Sequence, residues 1–171
     1  MTISIRDARR LASDRRWMES IYRDYLADLA PLGTGVFPAL PEFGHREPDQ
    51  LASWFADTSA HLLTVLKDDQ PVGFAMVRTG QILPGRGTAD FSMAEFFIAR
   101  PWRRHGVGQE AVRLIFDRFS GQWHIMEHLR NPHAIAFWRR VVGGYTGGRY
   151  QERGSSGEIH QYFDSSAKRV R

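Results

Sequence analysis

The stretch FSMAEFFIARPWRRHGVGQEAVRLIF constrains the fold more than any other part of the chain. An apolar run ends near Ile98, a basic turn punctuated by Gly106 and Gly108 follows, and Val107, Ala111, Leu114, Ile115 and Phe119 then share one helical face. A strand passed to a helix through such a turn leaves the first N–H groups of the helix unpaired, and the helix dipole favours an anion there. Glycines in the turn let main chain approach a ligand closely, and Arg103 and Arg104, with His105 beside them, add charge. Tight strand-to-helix turns also use glycine for conformational reasons alone, so the turn by itself names no ligand.

The remaining segments supply the frame. TISIRDA alternates as a short strand, and Trp17, Ile21, Tyr25 and Leu29 recur at helical spacing. Pro31 to Pro48 is rich in Pro and Gly, long for a structureless connection and typical of a functional lid. Leu51, Trp54 and Phe55 predict a second, shorter helix. HLLTVLKD and PVGFAMVRT flank a turn at Asp68 to Pro71, as in a hairpin, after which QILPGRGTAD breaks the pattern. WHIMEHL reads as a strand. Asn131 and Pro132 then start a helix with Ala134, Phe137, Trp138 and Val141 on one face. GGRYQER and EIHQYFD form two last strands around a turn at Gly154 to Gly157. The order predicts an α/β fold: a mixed, largely antiparallel sheet of about six to seven strands flanked by about four helices, as one domain over 1–171.

Composition narrows the chemistry. The chain has 171 residues, 42% of them hydrophobic and 25% charged, enough for one buried core. With no cysteine, neither a disulfide scaffold nor a thiolate zinc site nor a cysteine nucleophile is available, and no metal is expected. The N-terminus lacks the order of a signal peptide and no apolar run reaches bilayer length, so a soluble, cytoplasmic protein without membrane contact is expected. The formal charge of +4 is carried almost wholly by arginine, since lysine occurs only at Lys67 and Lys168. That leans toward anionic partners, yet no basic reading helix and no interleaving of aromatic and basic residues points to specific nucleic-acid binding.

Two cofactor classes fit the glycine turn. GVGQEA also satisfies the G-x-G-x-x-A form of a dinucleotide fingerprint, and Glu127 lies at about the spacing of its ribose-binding acid. In a dinucleotide fold, however, the turn follows the first strand. Here it lies past mid-chain, with too few residues after it for a doubly wound sheet.

FFIARPWRRHGVGQEAVRLIF resembles motif A of the GNAT superfamily of N-acetyltransferases, with Arg103, Gly106 and Gly108 in the R/Q-x-x-G-x-G/A positions. NPHAIAFWRRV resembles motif B of the same superfamily, with Asn131, Ala134, Phe137 and Trp138 in its N-x-x-A-x-x-F-Y/W places. The two motifs stand in the family's order and separation. The resemblance implies a splayed sheet, with acetyl-CoA as donor and pantetheine entering between the strand ending at Ile98 and WHIMEHL. It implies that backbone N–H groups from Arg103 through Arg104, His105, Gly106 and Val107 to Gly108 hold the pyrophosphate. Main chain at Phe97, Ile98 and Ala99 would pair with pantetheine as an added strand does. Asn131, Phe137 and Trp138 would approach the cofactor, Asn131 having an equal claim as a helix cap.

Acyl transfer to an amine requires the ammonium to lose a proton, an oxyanion to be stabilised and a thiolate to depart. Glu95 interrupts an apolar strand and is the expected catalytic base, its pKa raised by burial; the alternative is an ion-paired or edge glutamate. His124 and Glu127 are secondary candidates. Backbone N–H groups near Phe97 or Ile98 suffice for the oxyanion. Many relatives carry a tyrosine acid where this chain has Trp138, and indole does not ionise usefully, so water, Tyr145, Tyr150 or Tyr162 are the possible substitutes.

Acceptor selection is expected from the Pro31 to Pro48 loop, the Gln81 to Ala89 loop and the C-terminal hairpin. Phe37, Phe43 and Trp54 read as pocket lining or, more simply, core, and His45 has no assigned role. The expected partner is a small-molecule or peptide amine, and a homodimer is left open. An acyl-CoA-binding module with little catalysis is the alternative, and a dinucleotide-binding protein a lesser one.

Overall fold

The computed structural model describes residues 1–29, 47–83 and 85–169. In chain order its elements are β1 (Ile3–Asp7), α1 (Ala12–Leu29), α2 (Glu47–Ala56), β2 (Ala60–Lys67), β3 (Gln70–Leu83), β4 (Gly87–Ile98), α3 (Val107–Arg118), β5 (Gln122–His128), α4 (Pro132–Thr146), β6 (Gln151–Ser155) and β7 (Glu158–Asp164). Short 3₁₀ turns span Arg100–Trp102 and Ser166–Arg169. The strands form one seven-stranded sheet in the order β1-β2-β3-β4-β5-β7-β6. Every neighbouring pair is antiparallel except β4 and β5. No helix among the described residues is long and apolar enough to cross a membrane.

Helices cover both faces, which is why β2 and β3 read as continuous apolar runs. Side chains still alternate. Leu62, Phe74, Met76 and Phe97 meet Met18, Tyr22, Tyr25 and Trp54 from α1 and α2. Leu63, Ala75, Val77, Trp123, Ile125 and Phe163 meet Val112, Ile115 and Phe116 of α3 and Trp138, Val141 and Val142 of α4.

Four expectations need correction. The buried face of α1 is centred on Met18, Tyr22, Tyr25 and Leu26, with Trp17 and Ile21 at its margin, because buried Asp14 sets the rotation by its two-point pairing with Arg6. Gln81, Ile82 and Leu83 are strand rather than loop, paired with Ala89, Thr88 and Gly87. The β3 side of that arm is exposed from Arg78 to Ile82, Ile82 to 78%, so it needs no apolar alternation and shows none. Gly147 to Tyr150 are not strand. Gly147 caps α4 in the left-handed region, and β6 begins at Gln151. Finally, Val112 and Phe116 are buried on α3 where Leu114 is only partly so.

Candidate active site at the divergence of two strands

Parallel strands β4 and β5 are paired only at Phe91 with Trp123 and Ser92 with His124. Beyond that point β5 stays paired to β7 as far as His128, and β4 to β3 as far as Ile98. The two strands therefore separate, and each presents an unpaired edge to the gap, a geometry that accepts an extended, amide-bearing ligand.

Glu95 lies on β4 just past the divergence. Met76 opposes Glu95 while Val77 opposes Met93, so Ala94 is an extra, unopposed residue. The bulge re-aims the strand. Met93 faces the α3 side, whereas Ala94 and Glu95 both face α1. Without the bulge Glu95 would point with Met93 into the α3 layer. The Tyr25 hydroxyl donates a hydrogen bond to Glu95 Oε2. Burial disfavours the charged form and pushes the Glu95 carboxyl up to about 8.

The glycine turn is built as an open helix start. Gly106 is the N-cap of α3 with φ +78°, it has no side chain to cap the helix, and a Cβ there would meet nothing within 4 Å. Arg104 also has positive φ and, like His105, is exposed. Val107 is buried against Ile98 and Ala111 and anchors the turn. Gly108 is glycine for a different reason: a Cβ would lie 3.3 Å from the Phe137 ring and 3.6 Å from the Ile98 side chain. Phe137 also stacks on Phe96 at 5.7 Å, so α3, β4 and α4 converge on that ring.

The other expected residues divide. The Arg103 guanidinium turns inward: Nε donates to the Ile98 carbonyl at 2.6 Å, Nη2 pairs with Asp28 of α1, and the group lies over Phe97 at 5.3 Å. It braces the turn rather than facing outward. Ala99 N–H donates to the Val72 carbonyl at 2.8 Å. The alternation of an antiparallel ladder then commits Phe97 to β3 and directs the Ile98 N–H and the N–H and C=O of Phe96 toward β5, the Ile98 carbonyl being taken by Arg103. Phe96 shares this direction although the sequence reading did not single it out; period-two counting back from Ile98 reaches it. Asn131 caps α4, its Oδ1 accepting from Ala134 N–H at 3.1 Å. Trp138 is buried against Phe96 and Phe137 as wall.

Of the substitute acids, Tyr145 donates to Asp117 Oδ1 at 2.8 Å and packs on Phe116 in the α3 layer, and Tyr150 packs beside Gly143. Tyr162 lies over the other face, stacked with His124, and Arg86 of the β3–β4 turn sits 3.8 Å above its ring. The long hairpin arm and the C-terminal hairpin thus meet. Trp54 is core, edge-on to Tyr22 and Tyr25. Phe37, Phe43, His45 and most of the Pro31 to Pro48 loop lie outside the described residues. Glu127 is 5% exposed, lies on the α4 face of β5, and neither of its carboxyl oxygens has a hydrogen-bond partner among the described residues. Burial first, then the nearby Glu152 charge, pushes it up to about 8 against the pull of Arg139.

The strand pair opens beside a partly buried carboxyl, and an uncapped helix start follows the end of β4. The sequence model of the Acetyltransferase (GNAT) family matches residues 18–144, and the chain belongs to that family. It is an acyltransferase. No curated protein matches the chain. Among solved structures it is similar to an acetyltransferase from Thermus thermophilus, at 16% identity and TM-score 0.64, over 96% of this chain and 97% of that one. The PaiA N-acetyltransferase of Thermoplasma acidophilum, in complex with coenzyme A, matches at 10% identity and TM-score 0.60, over 96% and 99%. The Campylobacter jejuni N-acetyltransferase PseH, in complex with acetyl coenzyme A, matches at 12% identity and TM-score 0.56, over 95% and 99%. These likenesses establish the fold.

Proposed function

We propose that the chain transfers an acetyl group from acetyl-CoA to a primary amine of a small molecule or peptide, by direct attack while both substrates are bound. The donor supplies an activated thioester, and the chain supplies position and proton transfer. Main-chain N–H groups from His105 to Gly108 hold the pyrophosphate, a reading supported by the uncapped start of α3 and the open space at Gly106. The β5-facing backbone of Phe96 and Ile98 orients the pantetheine arm, while Phe137 and Trp138 wall the gap and exclude water. The acceptor approaches from the α1 face.

Glu95 carries this reading. Its carboxyl, held at about 8, is matched to an ammonium: basic enough to take a proton, yet ionised in useful proportion near neutrality. Tyr25 fixes the orientation of Oε2. Trp138 holds no transferable proton, so the departing sulfur takes its proton from Glu95 or from water.

Thiol release from acetyl-CoA over a panel of primary amines tests the proposal. On an active amine, Glu95→Gln lowers kcat by about 100-fold while acetyl-CoA affinity stays within about twofold. Equal kcat would remove Glu95 as the base.

A further inference from the structure

The face of the sheet that carries Glu95 holds a second set of titratable groups. Trp123, Ile125 and Glu127 point toward α3 and α4, so His124 between them points the other way. It occupies the last rung, opposite Ser92, before β4 and β5 part. His124 and His160 stack with centroids 5.2 Å apart, and His124 Nε2 lies 2.9 Å from His160 Nδ1. His160 Nε2 lies 3.1 Å from Glu158 Oε2, at the start of β7. Tyr162 stacks on His124 at 5.0 Å, and Arg86 covers Tyr162.

These contacts assign the hydrogens. A carboxylate only accepts, so His160 carries its hydrogen on Nε2, toward Glu158. Neutral His160 then has a bare Nδ1, and the hydrogen between the rings sits on His124 Nε2. That leaves the lone pair of His124 Nδ1 unclaimed. Burial first, then the neighbouring His160 and the positive charge of Arg86, outweighs the pull of Glu158 and brings His124 down to about 4, so the ring is a neutral acceptor across the physiological range.

We propose that His124, His160 and Glu158 form a relay that carries the net proton of the acetyl transfer to solvent. The inference rests on the acyl-transfer reading above. As the C–N bond forms and the C–S bond breaks, an ammonium acceptor gives up two protons. Glu95 takes one and returns it to the departing sulfur. The other passes from the acylated nitrogen to His124 Nδ1, while His124 Nε2 gives its hydrogen to His160 Nδ1 and His160 Nε2 gives its own to Glu158 and water. The rings end as the opposite tautomers and reset by exchange with water. Arg86, fixed over Tyr162 and bonded to Gln151 at 3.0 Å, keeps an imidazolium from persisting at His124.

Nitrogen-15 NMR of histidine-labelled protein without ligands tests the relay directly. With both rings neutral, His124 and His160 are expected as Nε2–H tautomers. A Nδ1–H tautomer at His124 reverses the direction of transfer and overturns the proposal. His160→Phe keeps a ring in the stack but removes the acceptor, so His124 loses its single tautomer; an unchanged tautomer would count against the relay. On an amine that wild-type protein acetylates, His124→Phe lowers kcat by about 100-fold with the KM for acetyl-CoA within about twofold, and it lowers the pH dependence of kcat. Unchanged kcat overturns the relay. If acetyl-CoA fails to bind at all, the acyl-transfer reading fails, and the tautomers still report separately on the relay's hydrogen order.

Discussion

Glu127→Gln is expected to stabilise the protein by an amount that grows with pH. Glu127 is buried, its two carboxyl oxygens have no partner among the described residues, and its pKa moves from 4.5 to about 8 on folding. The folded state therefore binds a proton over a range in which the unfolded chain has lost it. Stability from this group is fully present below the unfolded value and is lost as pH rises through the folded one. Each pH unit between the two costs about 1.4 kcal/mol, so the loss from pH 5 to pH 8 approaches ~4 kcal/mol as an upper bound. Glutamine does not titrate, and its amide N–H₂ can donate toward the unpartnered Oε1 of neighbouring Gln161. Urea unfolding of both proteins at pH 5, 6, 7 and 8 reads the difference. The variant should match wild type within about 1 kcal/mol at pH 5 and exceed it by about 2–4 kcal/mol at pH 8, the slope that remains in the variant being due in part to Glu95. A difference independent of pH would refute the assignment of a neutral, buried Glu127.

Gly73→Ala should be strongly destabilising, because its Cβ would lie 2.3 Å from the Phe97 carbonyl oxygen where β3 crosses β4; a loss of about 3 kcal/mol or more in urea unfolding is expected. Gly108→Val crowds the Phe137 ring, already 3.3 Å from a Cβ, and should weaken acetyl-CoA binding about tenfold or more by calorimetry while the fold persists. Tyr25→Phe removes the donor to Glu95 Oε2, which favours the ionised form, so the acidic limb of the pH–rate profile, set by Glu95 as base, should move upward from about 8; an unmoved limb counts against that hydrogen bond.

The strand, basic turn and helix were legible because each has its own periodicity and because the turn needs glycine for two physical reasons, backbone conformation at Gly106 and space at Gly108. Glu95 was legible as a charge inside an apolar strand. Its orientation was not, since the bulge at Ala94 exists only in the register between β3 and β4. The same limit hid the His124–His160 contact, which joins residues 36 apart through the pairing of β5 with β7. Arg103 read as a phosphate-facing cation because its inward partner, Asp28, lies on a helix whose end no local pattern connects to the turn. The outer end of β3 read as loop because a strand stretch solvated on both its faces carries no apolar signal.

Calorimetric titration of the purified protein with acetyl-CoA, CoA and NADH in parallel tests the central claim most directly. The account predicts micromolar binding of both CoA species, lost in Gly106→Asp, with NADH silent. Binding of NADH alone, or no binding of acetyl-CoA, would contradict it.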